Sequence, residues 1–212
     1  MGATEDSRAD GFWLVSDLHL GHAKVSALRG FPDVAAHDRA ILDNLREVPD
    51  GATLICLGDI SVRDDAGALR TLAQLKAEKD FTMVLVPGNH DRVHPVFGID
   101  SVVEWTPAYR QVFDVISLEL QVKVGRWLVL LTHIPAPGKV EDAHLTPALT
   151  RWAARGGATS RDGFDCTVHG HTHSTVAVRP KNVNVSLEAT DLKPVSSGQL
   201  LDLVTRAVKW KH

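Results

Sequence analysis

The chain has few of the features that mark secreted, membrane-spanning or nucleic-acid-binding proteins. It has only two cysteines, Cys56 and Cys166, and neither belongs to a CxxC pair. We therefore expect buried free thiols rather than a disulfide or a metal site. The longest strongly apolar run, Trp127–Leu131, is far too short to cross a bilayer. These absences predict a cytoplasmic protein that has no membrane partner.

The charge balance also does not favour the binding of a polyanion. The formal net charge is −3 and the isoelectric point is near 6.4, so the chain lacks the broad basic field typical of nucleic-acid-binding proteins. We expect no obligate nucleic-acid partner. A small phosphorylated substrate remains open, because bound metal ions could supply the positive charge.

One domain accounts for most of the chain. Residues 1–10 are acidic and polar and lack the apolar segment of a signal peptide, so we expect a disordered leader before a single domain at 11–212. Apolar strands at 12–16, 53–57 and 81–86 alternate with amphipathic helices at 33–48 and 66–78. This alternation predicts an α/β fold with a largely parallel sheet.

The second half of the domain has a different pattern. Strand-like segments occupy 112–124 and 127–132, joined by a hairpin at Gly125-Arg126, and also 165–169, 183–187 and 199–208. Between them lies a long loop at 134–164, rich in Pro, Gly and Ala, with one short helix predicted at 147–155.

Metal-ligand residue types follow five of the predicted strands. Eleven histidines are an unusual number for 212 residues, and histidine is the commonest metal ligand. The residues at the strand ends are Asp17, His19, Asp59, Asn89, His90, His133, His171 and His173. Each motif alone fits a turn or a helix cap, although Gly-His-x-His is more specific. Ligands of open α/β sheets bind at the carboxyl ends of strands, so the joint pattern indicates a site.

These motifs resemble a known set. The segments are Ser16-Asp17-Leu18-His19, Gly58-Asp59, Gly88-Asn89-His90-Asp91, Thr132-His133 and Gly170-His171-Thr172-His173. They resemble the five signature blocks of the calcineurin-like metallophosphoesterase superfamily, over about residues 12–187. Residues 17–22 and 182–195 are most similar to small bacterial and phage members. The resemblance implies a four-layer αββα sandwich, in which two mixed sheets are flanked by helices.

The resemblance also implies a role for each site residue. Asp17, His19 and His173 would bind a first metal. Asn89, His133 and His171 would bind a second, and Asp59 would bridge the two. His90 would face the substrate phosphate. Apart from the resemblance, we expect Asn89 to contact the substrate as well, and His22, which follows Gly21, to line the phosphate pocket. For His22, an ordinary loop position is an equally good interpretation.

This ligand set suits phosphate-ester hydrolysis. Two metals about 3.5–4 Å apart can activate a bridging water as a hydroxide nucleophile and neutralise the phosphoryl oxygens. His90 could then protonate the leaving group. Nitrogen and oxygen ligands suit Mn²⁺, Fe²⁺, Ni²⁺ or Zn²⁺, and we favour Mn²⁺. We expect a small phosphoester substrate, with 2′,3′-cyclic nucleotides suggested by the resemblance alone.

Two other functions remain open: a non-catalytic scaffold on the same fold, and a nuclease acting on DNA or RNA. The intact ligand set argues against the scaffold, and the absence of a basic groove argues against the nuclease. The sequence also departs from two subgroups. Asp59 is followed by Ile60-Ser61-Val62, which lacks the Asp-Arg-Gly of phosphoprotein phosphatases and the tyrosine ligand of purple acid phosphatases.

The remaining polar residues receive structural interpretations. We expect Asp91 and Arg92 to form a salt bridge in a turn, and His169 to lie in the core or to support a ligand. The four histidines outside any motif are expected at the surface; these are His37, His94, His144 and His212.

Overall fold

Two five-stranded mixed sheets make up the framework of the computed structural model, which describes residues 11–135 and 162–210. The strands are β1 (Phe12–Val15), β2 (Thr53–Cys56), β3 (Thr82–Leu85), β4 (Val115–Ile116), β5 (Leu120–Val124), β6 (Trp127–Leu131), β7 (Cys166–His169), β8 (Val178–Arg179), β9 (Asn182–Asn184) and β10 (Val195–Ser196). The α-helices are α1 (Ala23–Leu28), α2 (Val34–Arg46), α3 (Asp65–Glu78), α4 (Ile99–Tyr109) and α5 (Ser197–Val208). Short 3₁₀ turns occupy Pro95–Phe97 and Leu187–Ala189.

The strand order keeps the predicted site at one edge of both sheets. The first sheet has the order β10-β1-β2-β3-β4, and only β10 runs antiparallel to its neighbour. The second has the order β5-β6-β7-β9-β8, with β6, β7 and β9 parallel. An isolated parallel bridge between Ser16 and Ser186 joins the carboxyl ends of β1 and β9. The predicted α/β class with two mixed sheets and helices is confirmed.

Two apolar clusters hold these layers together. One lies between the first sheet and the helices on it, and includes Ile41 of α2 and Leu72 of α3. The other lies between the two sheets and includes Leu14 of β1, Val129 of β6 and Leu200 of α5. Cys56 and Cys166 are buried free thiols, as predicted. Within the described residues, no helix has the length and apolarity needed to cross a membrane.

The tail is helical where we expected a strand. Residues 199–208 are largely apolar, but Leu200, Val204 and Ala207 repeat at helical spacing and are buried together. Ser196 and Gln199 form a capping box, and α5 begins at Ser197, two residues before the predicted strand. The strand prediction was therefore wrong, because the cap and the spacing outweigh β-propensity.

Other boundaries also differ from the predictions. Residues 112–124 contain two short strands, β4 and β5, rather than one, and the strand predicted at 183–187 is β9 followed by a 3₁₀ turn. Helices α1 and α4 were not predicted; α4 contains Pro107 and several β-branched residues, which obscured its pattern. The helix predicted at 147–155 and the leader at 1–10 lie outside the described residues.

Candidate metal centre

The segments that follow the strands remain paired beyond the strand ends and bring the predicted ligands together. The N–H of Asp17 donates to the carbonyl of Gly58 at 2.9 Å, and that of His19 to the carbonyl of Asp59 at 3.0 Å. Across the two sheets, the N–H of His171 donates to Oδ2 of Asp17 at 3.0 Å. The carboxyl ends of β1, β2 and β7 therefore form one continuous site.

The first group of potential ligands contains Asp17, His19 and His173. Their ligand atoms all lie within 4.8 Å of one another. The Nε2 atoms of His19 and His173 are 3.1 Å apart, and Nε2 of His173 is 3.8 Å from Oδ1 of Asp17. Three potential ligand atoms thus converge on one point, and this arrangement is suitable for binding a cation.

The second group contains Asp59, His133 and His171. Their ligand atoms also lie within 4.8 Å of one another, and all three residues are buried. The Oδ1 atom of Asn89 lies 3.2 Å from Nε2 of His133. Asn89 is therefore placed as a fourth potential ligand of this group.

Asp59, a member of the second group, also faces the first group. Its Oδ2 atom is 3.4 Å from Nε2 of His133 in the second group and 3.9 Å from Nε2 of His19 in the first. One carboxylate therefore faces both groups, which is the position that a bridging ligand would need.

The ring of His133 shows why this site favours a cation. Its Nδ1 lies 2.6 Å from the carbonyl of Leu57, which fixes the N–H there and turns the lone pair of Nε2 toward the oxygens of Asp59 and Asn89. Three electron-rich atoms face one another unless a positive charge lies among them. Although burial lowers the pKa of His133, the Asp59 carboxylate raises it to about 10. A proton or a metal ion can supply that charge.

The backbone at the site adopts a conformation that side chains rarely take. Five of the six residues in the two groups have positive φ angles: Asp17 (60°), His19 (48°), Asp59 (55°), His171 (70°) and His173 (49°). Non-glycine residues occupy this region infrequently and at a cost of about 1–3 kcal/mol each. Such strain concentrates at functional sites, because the surrounding structure must hold it in place.

Two glycines allow the chain segments to approach this closely. A Cβ atom on Gly170 would collide with the side chains of Ser16 and Asp17. A Cβ atom on Gly58, whose φ is +87°, would collide with the backbone of Gly88. The glycines in the motifs are therefore required by the packing around the ligands.

His90 and His22 lie at the rim of the two groups. The backbone N–H of His90 donates to Oδ1 of Asp59 at 2.9 Å, while its imidazole is 40% exposed. His22 caps α1 through its Nδ1, and its ring centroid lies 6.1 Å from that of His19. Both rings line a cavity that opens beside the first group, so both can reach a substrate.

Sequence reasoning missed two residues that support the first group. Oε1 of Glu188 lies 2.8 Å from Nδ1 of His173 and receives a 2.9 Å hydrogen bond from Nε of Arg29. The Arg29 guanidinium also donates to the carbonyl of Asp17 at 2.7 Å. Although burial raises the pKa of Glu188, His173 and Arg29 hold it near 2. Only the proximity of Glu188 to the Gly-His-x-His block could have drawn attention to it.

The structure corrects the interpretation of Asp91 and Arg92. The Asp91 carboxylate accepts backbone N–H groups from Gly88, Asp59 and Ile60 at 2.7–3.0 Å. The Arg92 guanidinium instead lies over the ring of Phe97. Asp91 therefore organises the backbone around Asp59, and the predicted turn salt bridge was wrong.

Two histidines that we expected at the surface are buried. His37 is fully buried between Arg29 at 3.0 Å and Asp38 at 2.7 Å, and His94 is 2% exposed and caps a 3₁₀ turn. The expectation failed because isolated histidines carry no pattern that reveals polar partners. His169 is buried on β7, in agreement with the sequence, and His144 and His212 lie outside the described residues.

The chain is similar to two phage proteins and to one solved structure. The chain is 30% identical to the gene 66 protein of Mycobacterium phage L5, over 91% of this chain and 93% of that protein. It is 32% identical to the gene 66 protein of Mycobacterium phage D29, over 86% and 91% respectively. A crystal structure of a protein of unknown function from Aquifex aeolicus matches with a TM-score of 0.62 at 22% identity, over 92% of this chain and 99% of that one, which supports the fold alone.

A family model decides the assignment. The model of the calcineurin-like phosphoesterase superfamily domain matches residues 12–189, which contain every residue of the two groups. Membership supports phosphoesterase activity in general and the binding of divalent metals, without naming a substrate or a metal. The chain belongs to the calcineurin-like phosphoesterase superfamily.

Proposed function

We propose that the protein hydrolyses small phosphate esters with two divalent metal ions. The first ion would be held by Asp17, His19 and His173. The second would be held by Asn89, His133 and His171, with Asp59 shared between them. The observation that carries this proposal is the position of Asp59 Oδ2, within 3.4–3.9 Å of one imidazole nitrogen from each group.

The metal ions would supply an acidified water and a positive charge for the phosphoryl oxygens. The protein residues would orient the metal ions and the substrate, and would protonate the leaving group. Asp59 would set the spacing of the two groups, and Asn89 would also contact a phosphoryl oxygen. His90, exposed at the rim, would donate a proton to the departing alkoxide, with His22 as a further contact.

The metal that we favour is Mn²⁺. Each group combines imidazole with carboxylate or amide oxygen and contains no sulfur. This donor set suits Mn²⁺ and also Fe²⁺, Ni²⁺ or Zn²⁺, so that availability decides among them. Stimulation of the metal-free protein by Mn²⁺ above the other three ions would support this choice.

The substrates that we propose are small phosphodiesters and phosphomonoesters, with 2′,3′-cyclic nucleotides as one class. The two alternatives make different predictions. A nuclease would cleave duplex DNA or RNA efficiently, and a scaffold would hydrolyse nothing. Neither is favoured by a specific feature of the described residues.

A substrate panel tests the proposal. Metal-free protein should be reconstituted with Mn²⁺ and assayed on bis-p-nitrophenyl phosphate, on a 2′,3′-cyclic nucleotide and on duplex DNA. We expect hydrolysis of the small esters that disappears with a chelator and returns with metal. Cleavage of DNA alone would indicate a nuclease, and inactivity with both ions bound would indicate a scaffold.

A further inference from the structure

The cavity beside the first group extends well beyond the potential metal ligands. It has a volume of about 780 Å³ and is bordered at one end by His19, His90 and His173. From there it runs between α1 and the turn at residues 187–192. Its volume falls in the range of about 300–1,000 Å³ that is typical of small-molecule pockets. The cavity is thus continuous with the proposed site of phosphate binding.

One wall of this groove is an apolar face of α1. Val25 and Leu28 are three residues apart on the helix, so their side chains lie on the same face, and both line the groove. Leu28 is 76% exposed, the most exposed large apolar residue among those described. An apolar side chain displayed beside a site suggests contact with a ligand.

The opposite wall is also largely apolar. Leu192 contributes from the turn and Val62 from the segment after β2, and both are partly exposed. Apolar side chains on two sides of a groove favour a planar ring, which buries both of its faces and gains dispersion contacts with each side. A phosphate or a sugar alone would gain little from such walls.

The charges in the groove do not favour a polyanion. Two cations, Lys24 and Arg29, and two carboxylates, Glu188 and Asp191, line the groove, so that their charges balance. The guanidinium of Arg29 is already engaged by Glu188 at 2.8 Å. A chain of phosphates would therefore gain little electrostatic attraction along the groove, whereas an uncharged ring would have no such requirement.

We propose that this groove binds the organic group of the substrate, a planar aromatic group the size of one nucleoside, with Val25 and Leu28 as specificity-determining residues. This inference rests on the proposed function, because it places the phosphate at the two metal groups. The aromatic ring lies against α1, and the phosphate lies between His19 and His90.

A pair of ligands separates the groove from the metal groups. Binding of adenosine 5′-monophosphate and of inorganic phosphate to Mn²⁺-loaded protein should be measured by calorimetry. Because only the nucleotide reaches the groove, Leu28→Asn should weaken the nucleotide about tenfold and alter phosphate binding by less than about twofold. The nearly isosteric Val25→Thr should act in the same direction with a smaller effect.

Val103→Asn provides the matched control. Val103 is 65% exposed on α4 and does not line the groove, so its substitution should leave both affinities unchanged. Far-ultraviolet circular dichroism of each variant would confirm that the helices are intact.

Each other outcome has a definite meaning. If Leu28→Asn weakened the binding of both ligands equally, or of neither, the proposed role of the groove would be overturned. Tighter binding of a single-stranded oligonucleotide than of the mononucleotide would overturn it as well. Hydrolysis of bis-p-nitrophenyl phosphate by the unchanged protein tests the proposed function separately. Hydrolysis without a selective loss of nucleotide affinity in Leu28→Asn would overturn the role of the groove alone. Absence of both hydrolysis and phosphate binding would overturn the proposed function and the role of the groove together.

Discussion

The two groups of potential ligands lie side by side, but different parts of the chain hold them. In the second group, a main-chain carbonyl, that of Leu57, contacts Nδ1 of His133. In the first group, the corresponding contact to His173 comes from the side chain of Glu188, which Arg29 supports. The side chain of His133 is 1% exposed and that of His173 is 25% exposed.

This difference shows what each group depends on. The orientation of His133 is set by a backbone carbonyl at the end of β2 in the first sheet, so any chain with this fold retains that contact. The contact to Nδ1 of His173 comes from the Glu188 side chain, which a single substitution can remove. We therefore expect the second group to bind its metal more tightly, and the first group to be more easily disabled.

Asp59→Asn should have the largest effect, because it removes the one carboxylate that faces both groups. We expect loss of both metals and a fall in kcat of about 10⁴-fold or more. Elemental analysis and an assay on bis-p-nitrophenyl phosphate would measure this. Asp202→Asn, at an exposed position on α5, is the control. Loss of metal from only one group would show that Asp59 is not shared.

His90→Asn should separate chemistry from metal binding, since His90 belongs to neither group. We expect both metals to remain and kcat to fall by about 10²–10⁴-fold for an alkyl ester. The fall should be smaller for a p-nitrophenyl ester, because a good leaving group scarcely needs the proton. Equal, small losses with both esters would remove His90 from the mechanism, and loss of a metal would make it a ligand.

Glu188→Gln should affect the first group only. Its removal withdraws the carboxylate from Nδ1 of His173, and loss of such a partner typically weakens metal binding by about 10–100-fold. Titration with Mn²⁺ should then show one weakened site and one unchanged site. Glu104→Gln, on the exposed side of α4, should change neither. If Glu188→Gln weakened metal binding equally at both sites, the proposed difference in how the two groups are supported would be wrong.

Gly170→Ala should have the smallest effect on activity, because it acts on the stability of the fold and replaces no ligand. The new Cβ would press on Ser16 and Asp17, where the two groups adjoin, and we expect a loss of about 1–3 kcal/mol in the free energy of unfolding. Gly198→Ala, within α5 and free of close contacts, should instead add about 0.5–1 kcal/mol. Urea unfolding of the metal-free proteins measures both, and a neutral Gly170→Ala would contradict the packing argument.

The sequence predicted those parts of the site that local patterns encode. Asp17 and Asp59 follow apolar strands that are adjacent in a parallel sheet, so topology alone brings their strand ends together. The resemblance to the superfamily added which group each residue joins. These predictions depend on short segments whose periodicity and glycines are visible in the sequence.

The supporting contacts could not be predicted in this way. Arg29 and Glu188 are separated by 159 residues, and no local pattern marks two side chains that meet only in the folded chain. The burial of His37 follows from the same contacts, since it depends on Arg29 and Asp38. Helix α5 was mispredicted because its mostly apolar sequence is also compatible with a strand, and only the capping box and the spacing of its buried residues mark it as a helix.

Anomalous diffraction from crystals grown with Mn²⁺ would test the central claim most directly. We predict two peaks per chain, about 3.5–4 Å apart. One should lie among Asp17, His19 and His173, the other among Asn89, His133 and His171, with the Asp59 carboxylate between them. A single peak, or two peaks that do not share Asp59, would contradict the account.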